Sequence, residues 1–308
     1  MRIRLIFVLG LLVQLTGGGC ALRKGSASAP IANTASRVFR YSDTVSINYE
    51  KHGDGARSLV LLHGFGASLE TWRDVLPYLD QTYTVYLVDL KGFGLSSKPD
   101  DNKYSPSEQA RIVSAFLDFV DVRHAVLVGN SLGGGVALMA YVTVPSSPAR
   151  VDQLVLIDAA VYPQRLPFYM SLLKIPIVNR VIPHLMSADR QVKLALDKGF
   201  YDDSKVTADR VRRHAQFLTL PGSLHALIET ANEIIPDDIQ SFLGKLKEVS
   251  IPTLIIWGQQ DQIISEKQAE RLHQDLHNSR LVLIPKCGHI PQEEAPKATA
   301  DAIRAFIG

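Results

Sequence analysis

A serine, an aspartate and a histidine each stand in a short segment that suits nucleophilic chemistry. Ser131 lies in Gly-Asn-Ser-Leu-Gly (129–133), which fits the pattern G-x-S-x-G. Asp261 and His289 each follow a short apolar run nearer the C-terminus. A serine hydroxyl is a weak nucleophile unless a base takes its proton, and a histidine base needs a carboxylate to orient it. The order Ser, Asp, His therefore predicts a catalytic triad for acyl transfer.

The surroundings of Ser131 are those that the G-x-S-x-G pattern requires. Residues 125–129 predict a buried strand and residues 132–144 predict a helix, so the serine falls on the turn between them. Small neighbours leave room for a strained turn, and the helix N-terminus offers N–H groups to developing negative charge. We expect the backbone N–H groups of Phe65, in a His-Gly-Phe-Gly segment, and of Leu132 to form an oxyanion hole.

Three other features admit different roles. Asp158 also follows an apolar run and is the alternative carboxylate for the triad. The glycine-containing segment 89–96 lacks the spacing of a phosphate-binding loop, so we interpret it as a structural turn. His273 and His277 form an isolated H-x-x-x-H on a predicted surface helix, and we expect neither a metal nor an organic cofactor.

Short apolar segments alternate with amphipathic ones along most of the chain. The predicted strands are 45–50, 58–62, 83–89, 125–129, 154–158, 253–257 and 281–284. The predicted helices are 69–78, 106–120, 132–144, 266–276 and 291–306. Runs of Val, Leu and Ile are typical of parallel strands covered on both faces. The pattern predicts an α/β fold, and all three triad candidates follow a strand, at the edge where such sheets form sites.

Residues 162–236 break this alternation. They contain no convincing strand, and three prolines divide their apolar run into short helical pieces. We expect a helical cap inserted after the predicted strand 154–158, on a core formed by 38–161 and 237–308. Most apolar side chains of the cap should pack onto the core. The residues that we expect to line the substrate pocket are Phe168, Leu172, Leu185 and Ile290.

The N-terminus has the features of an export signal. Two arginines precede eleven mostly apolar residues, whereas a transmembrane helix needs about 20. Small residues and Cys20 follow, as at the cleavage site of bacterial lipoproteins. We predict a signal peptide at 1–19, lipidation of Cys20 and a flexible tether over 20–37, which places the protein at the bacterial cell envelope. The alternatives are cleavage near Ala29, giving a periplasmic or secreted protein, and a retained anchor or cytoplasmic tail.

Composition excludes several classes of protein. The 308 residues are 46% hydrophobic and 21% charged, which is typical of a globular protein rather than a disordered or collagen-like one. The 33 Lys and Arg residues nearly balance the 31 Asp and Glu residues, which argues against a nucleic-acid partner. If Cys20 carries lipid, Cys287 lacks a partner and should be a small buried residue; otherwise the two could form a disulfide.

Residues from about 38 to 307 resemble the α/β-hydrolase superfamily, whose fold is a mostly parallel twisted sheet with helices on both faces. The matching pieces are HGFG at 63–66, DLKGFGLS at 89–96, GNSLGG at 129–134, WGQQD at 257–261 and CGHIPQEE at 287–294. The resemblance implies Ser131 as nucleophile, Asp261 as acid, His289 as base, and the oxyanion hole of Phe65 and Leu132. A serine at the turn is unlike the dehalogenase and epoxide hydrolase branches, which use aspartate. GNSLGG is also similar to hydrolases that cut carbon–carbon bonds in ring-cleavage products.

The sequence therefore predicts a carboxylesterase or lipase-like serine hydrolase. We expect it to cleave a small ester with a hydrophobic acyl group through an acyl-enzyme, with no cofactor. A lipid on Cys20 would bring it to a membrane surface. The alternatives are a carbon–carbon bond hydrolase for ring-cleavage-type diketones and an inactive hydrolase fold that acts as a binding module.

Overall fold

A β-sheet lies at the centre of the fold. The structure is a computed structural model that describes residues 35–145, 150–164 and 186–308. The strands are β1 (Ser36–Arg40), β2 (Ser46–His52), β3 (Ser58–Leu62), β4 (Thr84–Val88), β5 (Ala125–Asn130), β6 (Val151–Ile157), β7 (Thr253–Gly258) and β8 (Ser279–Ile284). Their spatial order is β1-β2-β4-β3-β5-β6-β7-β8. The β1–β2 and β2–β4 pairs are antiparallel, and the other pairs are parallel. The predicted α/β fold with a mostly parallel sheet is confirmed.

Helices connect the strands. They are α1 (Pro106–Phe119), α2 (Leu132–Thr143), α3 (Ala188–Gly199), α4 (Ala208–Leu218), α5 (Ser223–Glu233), α6 (Ile239–Gly244), α7 (Lys267–Asp275), α8 (Pro291–Glu294) and α9 (Pro296–Ile307). Side-chain oxygens of Ser105, Ser187 and Thr207 accept backbone N–H groups at the starts of α1, α3 and α4. These bonds satisfy donors that the first turn of a helix leaves free, so the sequence itself fixes these three helix starts.

Both faces of the sheet are covered. In β3, Leu61 packs on one face with Trp72 and with Ile303 of α9. Its neighbour Leu62 belongs to the cluster on the other face, to which α1, α2 and α7 also contribute. Alternate residues of a strand point to opposite faces, and because both faces are buried, the central strands are nearly continuous apolar runs.

The structure differs from the sequence-based prediction at three places. Strand β1 begins at Ser36, inside the predicted tether. The sequence did not indicate this strand, because its only buried side chain is Phe39 and it contains no apolar run. The predicted helix 69–78 is instead two short 3-10 turns. The predicted helix 291–306 divides at Ala295, because a proline disfavours helical geometry in the residue before it.

Helices α3, α4 and α5 lie between β6 and β7 in the chain and fall within the range predicted for the cap. Helices α3 and α4 share a small apolar cluster that includes Val192, Leu196 and Val211, against which Ile290 packs. The predicted pocket residues Phe168, Leu172 and Leu185 lie outside the described residues, as do Cys20 and the predicted signal peptide. The cap and tether boundaries themselves stay predictions. No helix in the described ranges has the length and apolar character needed to cross a bilayer.

Helix α2 begins in direct contact with the ends of β3 and β5. A Cβ atom on Gly129 would lie 2.2 Å from the carbonyl oxygen of Gly133, and one on Gly133 would lie 2.2 Å from that of Leu62. Both neighbours are backbone atoms, which cannot turn aside as a flexible side chain could. The glycines of G-x-S-x-G are therefore needed for this close approach.

Replacing Gly129 by alanine should lower the free energy of unfolding by roughly 1–3 kcal/mol, because overpacking displaces backbone. Gly244, at the end of α6, is the matched control, since a Cβ there meets nothing within 4 Å. Gly244→Ala should change stability by less than about 1 kcal/mol, in the stabilising direction. Urea denaturation of both variants measures the difference. Equal effects at the two positions would contradict the packing argument.

Candidate active site

Ser131 occupies a strained turn between β5 and α2. Its φ of 53° and ψ of −118° are values that residues other than glycine rarely adopt. The Ser131 N–H donates to the carbonyl of Ile157 at 2.9 Å, and its own carbonyl accepts the N–H of Ala160 at 2.9 Å. Ile157 is the last residue of β6 and Ala160 lies in the segment that follows it, so the neighbouring strand and its extension hold the turn in place.

His289 and Asp261 are joined by a short hydrogen bond. Nδ1 of His289 lies 2.7 Å from Oδ2 of Asp261, and because a carboxylate only accepts, Nδ1 carries the proton. The other oxygen, Oδ1, accepts the N–H groups of Ile263 and Ile264 at 2.7 and 3.0 Å. The aspartate side chain is fully buried and that of the histidine is 7% exposed. The carboxylate therefore fixes both the ring and its tautomer, which leaves Nε2 as the free acceptor.

Asn130 ties the serine turn to the histidine loop. Its side-chain amide donates to the carbonyl of His289 at 3.0 Å and to that of Ile157 at 3.2 Å. Asn130 is buried, so losing this amide would leave two carbonyl groups short of a donor. Its role was missed from the sequence, although its place in G-x-S-x-G was a signal that could have singled it out.

Ser131 and His289 line the same cavity, so the structure brings the nucleophile and base candidates together. Apolar side chains from the core and the cap form most of the described wall. They include Met139, Val192, Leu196, Ile234, Phe242 and Ile263. Ile290, one of the predicted pocket residues, also lines the cavity.

The two residues expected to form the oxyanion hole also lie at this cavity. The segment that carries Phe65 passes close to the serine, since a Cβ on Gly64 would lie 3.2 Å from Cβ of Ser131. Leu132 is the first residue of α2, where a helix leaves its N–H groups free. Within the described ranges, neither the Phe65 N–H nor the Leu132 N–H donates to a protein group. Two unused donors beside a serine can bind a negatively charged oxygen.

His63 holds the segment of Phe65 rather than facing a substrate. Its Nδ1 donates to the Gly64 carbonyl at 2.8 Å, and its Nε2 accepts the Leu90 N–H at 3.0 Å. Complete burial lowers the pKa of His63 to about 4, so the ring is neutral at physiological pH. The imidazole therefore fastens this segment to the loop that follows β4.

The segment 89–96 is held by the carboxylate of Asp89. That side chain accepts the N–H groups of Leu69 and Leu95 and the amide of Asn48, at 2.7–2.9 Å. The carboxylate thus points into the protein and ties three chain segments together. The structure shows the structural turn that the sequence indicated.

A buried ion pair connects the cap to the core at the cavity wall. Glu293 accepts a hydrogen bond from the Thr71 hydroxyl at 2.6 Å, and Nε2 of His214 donates to it at 3.1 Å. Burial alone would lower the pKa of His214, but the Glu293 carboxylate raises it above its ordinary value. Burial alone would raise the pKa of Glu293, but His214, Thr71 and Arg210 hold it low. Sequence reasoning missed this pair, because no motif marks His214.

Asp158, Asp261 and His289 form the group of described residues whose spacing could suit a metal ion, with one ligand atom of each within 4.8 Å of the others. In this group, Nδ1 of His289 is already bound to Asp261. The histidines of the H-x-x-x-H segment are not part of it. Asp158 lies beside the triad. Among the described residues, Asp261 is hydrogen-bonded to Nδ1 of His289, whereas Asp158 accepts the N–H of Gly258.

A serine on a strand–turn–helix of a mostly parallel sheet, with a histidine and an aspartate at the following strand ends, defines an α/β hydrolase. Residues 57–296 match the family model described as alpha/beta hydrolase fold, and the chain belongs to this family. It is therefore a hydrolase.

Three relatives illustrate its similarities. An uncharacterized hydrolase of Bacillus subtilis (strain 168), YugF, is 30% identical over 272 residues, which cover 86% of this chain and 95% of the relative. A 2-hydroxy-6-oxononadienedioate/2-hydroxy-6-oxononatrienedioate hydrolase of Cupriavidus pinatubonensis (strain JMP 134 / LMG 1197) is 30% identical over 266 residues, which cover 83% and 88%. The solved structure of a membrane phospholipase A, titled a novel bacterial virulence factor, aligns with a TM-score of 0.69 and 27% identity and covers 88% of this chain and 85% of that chain.

The His214–Glu293 pair predicts a pH-dependent contribution to stability. His214 has a raised pKa, so its contribution is complete below about pH 6.5 and is lost as pH rises through the folded pKa. Glu293 has a lowered pKa, so its contribution is present above about pH 4.5 and is lost on further acidification. The stability difference between the parent and His214→Gln should be greatest between about pH 4.5 and 6.5.

Thermal unfolding from pH 4 to 9 measures this difference, with His277→Gln as the control at an exposed histidine. The control should follow the parent at every pH. A constant difference between the parent and His214→Gln across the range would refute the role of the ion pair.

Proposed function

We propose that this hydrolase is a serine carboxylesterase or lipase for a hydrophobic ester that carries no free carboxylate. One observation carries the proposal: an apolar cavity holds Ser131 and His289 together with two unused N–H donors, and Asp261 lies 2.7 Å from His289. This set contains the nucleophile, base, orienting acid and oxyanion donors that acyl transfer requires.

The reaction follows from these positions. Ser131 attacks the ester carbonyl while Nε2 of His289 accepts the hydroxyl proton, and Asp261 stabilises the resulting imidazolium. The N–H groups of Phe65 and Leu132 bind the oxyanion of the tetrahedral intermediate. His289 then protonates the leaving alkoxide, and an acyl group stays on the serine. Water, activated by the same histidine, releases the acid and restores the enzyme.

The charge of the cavity wall favours an uncharged ester. Among the described lining residues there is no lysine or arginine, while the carboxylate of Glu293 is one of them. The low pKa of Glu293 keeps this group ionised at neutral pH. A substrate carboxylate would lose its hydration there and meet no unpaired positive charge among the described lining residues, because His214 is paired with Glu293, and this is unfavourable. An apolar acyl or aromatic group gains from burial against the same wall.

Carbon–carbon bond hydrolysis is the second candidate. The observation in its favour is the 30% identity to the Cupriavidus pinatubonensis enzyme, whose name specifies a dioate substrate. The same serine and histidine could serve that reaction. The second candidate would require an unpaired cation for the carboxylates of such a substrate. Among the described lining residues the cation is His214, and it is already paired with Glu293.

Removing the nucleophile tests the proposal. Ser131→Ala should reduce turnover of p-nitrophenyl esters by about 10⁴-fold or more, with an unchanged melting temperature. A series of esters from acetate to palmitate would show which chain length the cavity accepts. A folded Ser131→Ala protein that keeps its turnover would overturn the proposal.

The other outcomes distinguish the alternatives. If the parent cleaves no ester but a fluorophosphonate labels Ser131, a vinylogous diketone should be tested next, and its cleavage would establish the second candidate. If neither ester turnover nor labelling occurs, the inactive binding module becomes the better account.

We also propose that the enzyme is exported and attached to the bacterial envelope by lipid on Cys20. The similarity to a protein described as a membrane phospholipase A supports a place at a membrane, where hydrophobic esters are abundant. The apolar run that precedes the cysteine supports export.

The two cysteines of the chain provide a matched test of lipidation. In a bacterium fed labelled palmitate, Cys20→Ser should lose the label and leave the membrane fraction. Cys287→Ser should keep both, because Cys287 is buried in the folded protein. Label retained in Cys20→Ser would exclude this site of attachment, and a soluble unlabelled parent would favour simple secretion.

A further inference from the structure

Asp158 is a buried carboxyl group next to the triad that the proposed reaction does not use. It follows β6 directly, has a left-handed φ of 43° and is completely buried. Its Oδ1 accepts the N–H of Gly258 at 3.0 Å. No N–H or hydroxyl group in the described ranges donates to its Oδ2. An ionised carboxylate with one donor and no solvent is costly, so its charge state needs an explanation.

The side chain that Asp158 faces is Asp261. The two carboxyl groups are within hydrogen-bonding reach, and one ligand atom of each lies within 4.8 Å of the His289 ring nitrogen. Two carboxylates can share such a bond only if one of them holds a proton, because both otherwise accept. Burial, and then the negative charge of Asp261, raise the pKa of Asp158 well above its ordinary value.

The distribution of donors decides where the proton lies. Asp261 receives two backbone N–H groups and the His289 N–H, which stabilise its negative charge. Asp158 receives one backbone N–H. A carboxyl with three donors holds its charge better than one with a single donor, so the proton belongs on Asp158.

Two further titratable groups face this site, and both agree with that assignment. Glu294 of α8 is buried and accepts the Gly288 N–H at 2.7 Å, and its negative charge also raises the pKa of Asp158. Burial raises the pKa of the Cys287 thiol, which is therefore neutral. In the described ranges, no cation is bonded to Asp158.

We propose that Asp158 is a neutral carboxylic acid that donates its O–H to the Asp261 carboxylate and so limits the basicity of His289. The negative charge of Asp261 is shared between the Asp158 O–H and the His289 N–H, so the imidazolium gains less from it. Asp158 is thus a positioning residue that acts through Asp261. The inference rests on the proposed serine chemistry only for its effect on catalysis, since the proton sharing itself requires no substrate.

Asp158→Asn is the decisive variant, because an amide reproduces the proposed neutral acid. Its oxygen can accept the Gly258 N–H and its NH₂ can donate to Asp261. We expect the pKa of His289, measured by NMR of the imidazole in the full chain and assigned with His289→Gln, to be the same as in the parent. If Asp158 were ionised, the substitution would remove a negative charge and lower the pKa of His289, which would overturn the proposal.

Asp158→Ala removes the donor and should raise the pKa of His289 by about one unit, the size expected for one hydrogen bond to a charged group. Labelling of Ser131 by a fluorophosphonate needs a neutral His289. Its rate on the acidic limb of the pH profile should therefore fall about tenfold, while the rate at high pH changes little. An unchanged pH profile in a folded Asp158→Ala protein would contradict the proposal. If this variant fails to fold, the asparagine variant still decides.

Two outcomes separate the competing accounts. If Asp261→Asn keeps labelling and Asp158→Asn loses it, Asp158 is the acid of the triad and the positioning role is wrong. If the parent itself is not labelled, the proposed serine hydrolase function fails, while the NMR titration of His289 still reports on Asp158. Asp301→Asn, on the exposed side of α9, is the control and should change neither measurement.

Discussion

The strained turn at Ser131 is the constraint on which the rest of the structure depends. A non-glycine residue with a φ of 53° persists only where its surroundings determine its backbone. Those surroundings are the carbonyl of Ile157 on one side and the bare glycine backbone at positions 129 and 133 on the other. Both depend on β5 lying between β3 and β6 as parallel neighbours. The sheet order and the glycines therefore serve one requirement, which is a serine hydroxyl that faces the cavity from a rigid support.

The position of the histidine depends on the cap as well as on the core. Glu294 accepts N–H groups from Gly288, beside the histidine, and from Tyr201 and Asp202, which follow helix α3. The backbone N–H of His289 donates to the carbonyl of Gly199 at 2.6 Å. Through these bonds, the loop that carries the base and the end of a cap helix form one unit. The cap consequently contributes to the geometry of the reaction as well as to the shape of the cavity.

The sequence predicts those features that leave a local pattern. Strands β3, β5 and β7 are apolar runs and were placed within a residue of their observed ends, whereas β1 has one buried residue and was missed. The triad candidates are also local, because each stands in a short motif behind a strand. The contacts that complete the site are not local. Thr71 and Glu293 are 222 residues apart, and His214 meets Glu293 across 79 residues. Only the folded chain reveals such pairs, since no spacing in the sequence links their members.

The triad by itself does not determine the substrate, because the same groups can attack an ester or a diketone carbonyl. The discriminating feature is the charge of the wall, where Glu293 and His214 neutralise each other within a mostly apolar surface. Such a pair leaves no net positive charge for an anionic substrate, yet it costs little to an uncharged one. The buried proton that we assign to Asp158 concerns the triad rather than the wall, since it keeps the Asp158–Asp261 pair at one negative unit rather than two. The uncharged ester that we propose is the kind of reactant for which such a wall is suited.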